Sequence, residues 1–487
     1  MSSVARSGGT IVDHTLLLPQ PFVERIRKQL EEESESFLNA LSLKAYKGLR
    51  LNSLKVDKLS QPFETIKEIF GLKPVPWCEE GFYYDAGSRP GLHPYHQAGL
   101  YYLQEPSAML PVVMLAPQPG ELVLDLSAAP GGKATQIVAR MRNQGLLIAN
   151  EIHPARAKIL AENLERWGAT NTVVTNESPE RLVECFHEVF DRILVDAPCS
   201  GEGMFRKDAN AIQEWSLDQV AACARRQKHI LHSAATMLKP GGRLVYSTCT
   251  FAPEENEEQI ARFLEAHPEY TLLEEKRIWP HLHPGEGHYV AVLAKRDESA
   301  NPTREPAPVK PSKERKRNKE KKRADTGSWR EPWRQFEQFL DHASLTWKPE
   351  QGCPIARGSQ LYWLPEHESL KRHVDRLLGL KLLSPGLHLS HIKKGRIEPA
   401  HALALAMAPG SIANFVSFAP DQDELQRFLR GETIHISPSD ERGFNVEDGW
   451  VAVCVDGHAL GWGKKVKSVI KNHLPKGLRR FTFNEFD

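Results

Sequence analysis

Between residues 106 and 296 two hydrophobic rhythms alternate along the chain. Short apolar runs (ELVLDL, GLLIANE, FDRILVDAP, GGRLVYSTC and GHYVAVLAKR) predict strands. The stretches KATQIVARM, PARAKILAENLERWG, LDQVAACARRQKHILHSAATML and PEENEEQIARFLEAH carry the wider spacing of amphipathic helices. Strands alternating with helices predict an α/β fold, a mostly parallel sheet covered on both faces.

The flanks follow other patterns. Residues 1–105 begin helix-like with FVERIRKQLEEESESFLNAL and continue into a strand-like GLRLNSLKV, a small α+β unit. Residues 297–328, rich in proline and charge, have almost no large apolar residue and are expected to be a disordered linker. From Lys310 to Arg323 it carries nine basic and two acidic residues, suiting either a solvated tether or a flexible phosphate-binding arm. Residues 329–395 pair a helix-like WRQFEQFLDHA with a strand-like SQLYWLP, an intermediate α+β domain. Residues 396–487 hold short strands and turns, in which WVAVCV-DG-HALGWGKKV predicts a hairpin with a two-residue I′ turn.

Composition changes this picture little. The 487 residues are 40% hydrophobic, enough for several cores. The net charge of +1 gives no argument for a nucleic-acid partner, so that argument rests on local clusters. One such cluster is Lys464, Lys465, Lys467, Lys471, Lys476, Arg479 and Arg480, with Trp462 and Phe481 among them. Basic and aromatic residues together suit RNA, through phosphate contacts and stacking, although an ordinary surface has the same composition. No apolar run is long enough for a membrane span, and the N-terminus lacks a signal-peptide core. Seven cysteines without a CxxC pair argue against a disulfide scaffold or a zinc site. A cytoplasmic monomer is expected, with no metal and no membrane partner.

The candidate chemistry begins at LVLDLSAAPGGKATQIV. A phosphate-binding P-loop needs GxxxxGK[ST], but Ser127 and Ala134 stand at its two ends. A dinucleotide fingerprint needs GxGxxG, and Ser127 to Gly131 do not supply it. What remains is a strand ending in Asp125 and a tight turn of small residues, which suits S-adenosylmethionine, a ligand without phosphates. Glu151, after the next strand, is placed to accept from ribose hydroxyls.

Two cysteines follow two further strands. ILVDAPCSGEG puts Asp196 and Cys199 beyond one strand, and RLVYSTCTF puts Cys249 beyond another. In a parallel sheet both lie on the ligand-binding edge. A thiolate beside a methyl donor has a specific use. Added to carbon 6 of a pyrimidine, it makes carbon 5 nucleophilic enough to take a methyl group. A hydrogen-bonding acid such as Asp196, near ring N3 and the exocyclic amine, would stabilise the developing charge. Which cysteine attacks is open on this reading, and Cys78, Cys185, Cys223, Cys353 and Cys454 lack the setting.

PSAMLP, DLSAAPGGKATQI, VDAPCSGEG and YSTCTFAPEENE, in this order, resemble the motif series of the NOL1/NOP2/Sun family of RNA cytosine-C5 methyltransferases. The resemblance implies a Rossmann-like core, S-adenosylmethionine as cofactor, Cys249 as nucleophile and Cys199 as the thiol that assists product release. It places Lys133 and Asp196 in the active site. Ser127, Ala128, Ala129, Pro130, Gly131, Gly132, Lys133, Glu151 and Asp196 match its cofactor contacts. Ser178 stands where the family usually carries an aspartate near the adenine. GLRLNSLK, with Arg50, resembles a small N-terminal RNA-binding piece. The branch with an antitermination-factor-like N-terminal domain has a longer leader. GWGKKVKSVIKNHLPKGLRR resembles a C-terminal extension with a PUA-like domain, implying RNA contacts at Lys464, Lys465, Lys476, Arg479 and Arg480. The expected function is methylation of carbon 5 of cytosine in small-subunit (16S) rRNA through a covalent Cys–C6 intermediate. The alternative is a non-catalytic RNA-binding ribosome-assembly factor on a methyltransferase scaffold. A DNA cytosine methyltransferase is a lesser rival, because that class attacks with its Pro-Cys motif.

Overall fold

The computed structural model describes residues 18–297, 329–342, 345, 351–393, 395–436 and 446–479. The predicted basic linker therefore lies outside the described residues, as do Arg480 and Phe481. Among the described residues, no helix is long and apolar enough to cross a membrane.

The N-terminal unit opens with helices Gln20–Leu30 and Ser34–Leu41 and forms a four-stranded sheet: β1 (Gly48–Leu51), β2 (Lys73–Val75), β3 (Cys78–Tyr83) and β4 (Tyr101–Leu103), in the order β2-β3-β1-β4. The predicted strand GLRLNSLKV stops at Leu51, because Asn52 turns the chain. Its Oδ1 accepts from the Leu54 N–H (3.1 Å) while its amide donates to the Gly99 and Trp167 carbonyls (both 2.8 Å).

The core carries β5 (Leu122–Asp125), β6 (Leu146–Asn150), β7 (Thr172–Thr175), β8 (Phe190–Asp196), β9 (Leu238–Thr248), β10 (Tyr270–Ile278) and β11 (His288–Lys295). β5 to β9 run parallel in the order β9-β8-β5-β6-β7, and β11 lies antiparallel between β9 and β10. Strand residues alternate between two apolar layers. Leu122 and Leu124 pack toward Phe186, Leu231 and Ile260, while Val123 packs toward Ile137, Leu160 and Trp167. Both faces are thus covered. Each such side chain, fully withdrawn from water, contributes about 1.5–3 kcal/mol.

The remaining sheet strands are β12 (Gly352–Arg357), β13 (Gln360–Pro365), β14 (Leu382–Ser384), β15 (Leu387–Lys393) and β16 (Arg396–Pro399), then β17 (Phe415–Phe418), β18 (Ile434–His435), β19 (Gly449–Val455), β20 (His458–Val466) and β21 (Val469–Asn472). The expected boundary between residues 395 and 396 is corrected here. β15 and β16 form one hairpin with Lys393 opposite Arg396, so the sheet β12-β13-β15-β16 runs through to Pro399. Nor is the intermediate region self-contained, because β14 pairs with β7 and becomes the eighth strand of the core sheet. The Asp-Gly hairpin forms as expected, with positive φ at both Asp456 (44°) and Gly457 (81°). The last sheet packs onto the N-terminal unit, Val416, Phe428 and Val451 sharing a core with Leu49, Phe63 and Ile66.

Candidate active site

The sheet order reverses between β5 and β8, and open α/β sheets bind ligands beyond the carboxyl ends of the strands at such a point. The turn after β5 is fixed from outside. The Ala128 N–H donates to the Asn150 carbonyl (2.8 Å), Arg156 donates to the Ala129 carbonyl (2.8 Å) and Asn163 to the Pro130 carbonyl (2.7 Å). Gly131 holds φ +117°, and a Cβ there would stand 3.3 Å from that of Asn163. Gly132 opens the helix Gly132–Arg140. Ser127 is half-buried, Ala128 and Ala129 are buried, and Pro130 is exposed.

Three carboxylates line this edge. Asp125 is fully buried, and burial pushes its carboxyl up to about 8. Asp196 and Glu151 add to that rise, while Lys133 and the Ser127 amide oppose it. Glu151 accepts from the His153 N–H (2.9 Å) and pairs with Arg156 (3.3 Å). Asp125 is buried without an ion-pair partner, and neither of its carboxyl oxygens has a close hydrogen-bond partner. Such a site fits a sulfonium ligand that carries its own ammonium group. Ser127 to Lys133, with Asp125 and Glu151, are therefore the residues that would hold S-adenosylmethionine.

Ser178 lies between β7 and the helix Pro179–Cys185. Its hydroxyl caps the helix Pro179–Cys185, accepting from the Arg181 N–H at 3.3 Å. Its neighbours Asn176 and Glu177 are taken by Lys381, whose Nζ lies 2.5 Å from Asn176 Oδ1 and whose N–H donates to Glu177 (2.7 Å). A segment some two hundred positions away in sequence covers the end of β7, which no local signal announces.

Beyond β8 and β9 the predicted chemistry meets. Lys133 Nζ lies 2.8 Å from Asp196 Oδ2, and Ser247 donates to Asp196 Oδ1 at 2.8 Å. His288, at the start of β11, puts Nε2 3.8 Å from the same oxygen. Burial disfavours the Asp196 charge, yet Lys133 and His288 outweigh it and hold the carboxyl well below the usual range. Asp196 here accepts from both Lys133 and Ser247. Lys133 is held charged in turn: burial opposes it, and Asp196, then Cys249, raise it above its ordinary value.

Cys199 and Cys249 place their sulfurs 3.4 Å apart, both partly open to solvent. The hydrogen bond to Cys249, then burial, pushes the Cys199 thiol well up. Either thiol can donate to the other across this contact. The backbone around Cys249 is held by the Gly203 N–H on its carbonyl (2.8 Å). The other five thiols lie elsewhere, Cys353 exposed and Cys78, Cys185, Cys223 and Cys454 buried. Ser247, His288 and Arg156 were not singled out from sequence. His288 alone carried a signal, as an unusual polar start to an apolar strand.

Two expected RNA contacts are corrected. Arg50 is fully buried at the centre of the N-terminal sheet. It donates to Gln104 (3.0 Å), Thr135 (2.7 Å) and the Gly132 carbonyl (3.1 Å), and stacks 4.6 Å over Trp167. It braces the glycine turn instead of meeting RNA. Trp462 is buried with its indole N–H on the Ala400 carbonyl (2.9 Å). The half-buried Trp450, between Lys464 (5.5 Å) and His473, is the aromatic on that surface. Lys464 and Lys476 are exposed, Lys465 pairs with Asp448 (3.0 Å), and Arg479 donates to the Leu474 carbonyl (3.0 Å). Arg50→Ala is expected to cost about 2–4 kcal/mol in urea melts, through lost hydrogen bonds to a buried charge. It should leave the salt dependence of RNA binding unchanged. A normal melt with a flattened salt slope would return Arg50 to the RNA surface.

A parallel sheet reversing at a small-residue turn, three carboxylates beside that turn and reactive side chains on the same edge define a methyltransferase that uses S-adenosylmethionine. Comparison with known proteins agrees along the chain. Family models match for 16S rRNA methyltransferase RsmB/F (residues 112–297), the N-terminal domain of 16S rRNA methyltransferase RsmF (18–106), the RsmF rRNA methyltransferase first C-terminal domain (338–407) and the methyltransferase RsmF PUA domain (415–480). Ribosomal RNA small subunit methyltransferase F of Erwinia tasmaniensis is 33% identical over 96% of this chain and 98% of its own length. The protein of the same name from Shewanella sp. (strain MR-7) is 33% identical over 95% and 97%. A solved methyltransferase homolog from Pyrococcus horikoshii is 30% identical over 57% of this chain and 96% of its own, with a TM-score of 0.52. NSun6 from the same organism, solved with SFG, shares the fold at 21% identity and a TM-score of 0.52, over 57% of this chain and 98% of its own. The chain belongs to the ribosomal RNA small subunit methyltransferase F family and is an S-adenosylmethionine-dependent RNA methyltransferase.

Proposed function

We propose that the protein methylates carbon 5 of cytosine in 16S rRNA, with Cys249 as the attacking thiol and Cys199 as the thiol that assists release. The observation that carries this reading is the 3.4 Å approach of the two sulfurs beside the Lys133–Asp196 pair. The charged Lys133, which interacts with Cys249, supports Cys249 as the attacking member of the pair. Cys249 Sγ bonds carbon 6, and carbon 5 becomes nucleophilic. S-adenosylmethionine supplies the methyl group that carbon 5 takes. Ionised Asp196 accepts from the exocyclic amine and, with Lys133, orients the ring. The carbon 5 proton then leaves to solvent, the Sγ–C6 bond breaks, and the Cys199 S–H stabilises the departing thiolate. The target base has to leave its stack to reach a crevice at a strand edge, so an unpaired or flippable cytosine is the substrate. The enzyme acts as a cytoplasmic monomer on rRNA, with Lys464, Lys476 and Trp450 on its RNA-facing surface.

Cys199→Ala tests the division of labour. Attack proceeds and release slows, so enzyme and 16S rRNA accumulate as an adduct on a denaturing gel. Absence of that band under turnover conditions contradicts the scheme. Bisulfite mapping of 16S rRNA from a strain lacking the protein should show newly reactive cytosine, and an unchanged map removes the proposed product.

A further inference from the structure

Two adjacent residues, Glu255 and Asn256, each brace the flanks of a different cysteine, Asn256 directly and Glu255 partly through Gln227. Asn256 is fully buried. Its Oδ1 accepts from the Thr248 hydroxyl (2.6 Å) and its Nδ2 donates to the Thr250 carbonyl (2.9 Å), which brackets Cys249. Glu255 is also fully buried. It accepts from the Ser200 N–H (3.0 Å), from the Ser200 hydroxyl and from Gln227 (2.7 Å). Gln227 in turn donates to the Pro198 carbonyl (3.1 Å), so Cys199 is bracketed as well. The two loops are joined directly, the Thr250 and Ser200 hydroxyls lying 2.8 Å apart. Tyr246 anchors this corner by donating to the Glu255 carbonyl (2.7 Å).

Glu255, Asn256 and Gln227 are all fully buried, and burying a carboxylate opposes folding unless it is bonded. Burial pushes the Glu255 carboxyl up to about 7, and its charge helps keep the Cys199 proton in place. The bonds go to the residues before and after each sulfur, not to the sulfurs, so the network fixes backbone position around the thiols. A displacement of about 1 Å in such a group can cost roughly 100-fold in rate.

We propose that Glu255 and Asn256 are positioning residues that assign the two thiols their separate tasks, Asn256 aiming Cys249 for attack and Glu255 holding Cys199 for release. This rests on the covalent reading above. Glu255→Ala and Asn256→Ala are compared with wild type and Cys199→Ala, using 16S rRNA and labelled cofactor. Single-turnover transfer, steady-state turnover and adduct on a denaturing gel are measured. Glu255→Ala is expected to keep single-turnover transfer, lose roughly tenfold in turnover and accumulate adduct. Asn256→Ala is expected to lose roughly tenfold or more in single-turnover transfer and accumulate none. Ser200→Ala and Thr248→Val each delete one hydroxyl from the brace. They should repeat the two profiles at smaller size, and they carry the test if the larger changes prevent folding. Parallel losses in both profiles that follow the melting temperature overturn the proposal and leave a structural network. If Cys199→Ala accumulates adduct and neither Glu255→Ala nor Ser200→Ala does, the proposal fails while the covalent reading stands. If Cys199→Ala accumulates none, both fall.

Discussion

Cys249→Ser is expected to abolish methyl transfer, with a loss of about 10⁴-fold or more in labelled-cofactor assays. The reason is the nucleophile's acidity. A cysteine thiol is far more acidic and more nucleophilic than a serine hydroxyl in the same place, and the charged Lys133 nearby favours an anion there. The substitution is nearly isosteric. The hydroxyl can still hydrogen-bond to Cys199, and the brackets at Thr248, Thr250 and Gly203 stay in place. Stability should therefore change by no more than about 0.5 kcal/mol. S-adenosylmethionine affinity by calorimetry should match wild type, because the glycine turn lies on a different strand. A loss of activity with an intact melt and intact cofactor binding isolates the chemical step. Activity within tenfold of wild type removes Cys249 from the attack, and the same assay on Cys199→Ser then becomes decisive.

The meeting of the two thiols was legible because it depends only on strand period and direction. Two parallel strands, each followed within a few residues by a cysteine, put both on one edge. The small-residue turn and the Asp-Gly hairpin were legible for the same reason, since local backbone geometry demands those residue types. Other features depend on partners that sequence does not display. Arg50 looks like a surface cation, because arginine is rarely buried, yet Gln104, Thr135 and Trp167 supply it with enough polar and aromatic contacts to be buried. Trp462 looks like a stacking platform until the Ala400 carbonyl takes its N–H. β10 carries TLLEEKR, mostly polar, and only pairing with β11 makes it a strand. β14 joins the core sheet from a region that reads as a separate domain, so no local pattern could have placed it beside β7. PEENE reads as the start of a solvated helix, yet two of its side chains are fully buried behind the thiols.

Asp196→Asn is expected to lower kcat/KM about 10²–10⁴-fold, with cofactor affinity far less affected. The amide keeps the shape of the carboxylate and loses the charge that Lys133 and His288 stabilise. It also offers a donor where the exocyclic amine needs an acceptor. The same change measures the ion pair. Asp196 is 30% exposed at its side chain and Lys133 12%, so breaking the pair should cost about 1–3 kcal/mol, less than for a fully sealed pair. The sign with pH follows from the two shifts. The Asp196 pKa is depressed in the folded protein, so its contribution is full above the ordinary carboxylate range and fades as pH falls through the folded value. The Lys133 pKa is raised, so its contribution is full below the ordinary lysine range and fades as pH climbs through the folded value. The stability gap between wild type and Asp196→Asn in urea melts should then be flat from about pH 5 to about pH 9 and narrow outside that window. Across the same window Asp196 should add no acid limb to the wild-type rate, because it stays ionised. A gap that closes between pH 5 and 7, or an activity loss smaller than tenfold, contradicts an ionised Asp196 as the group that orients the base.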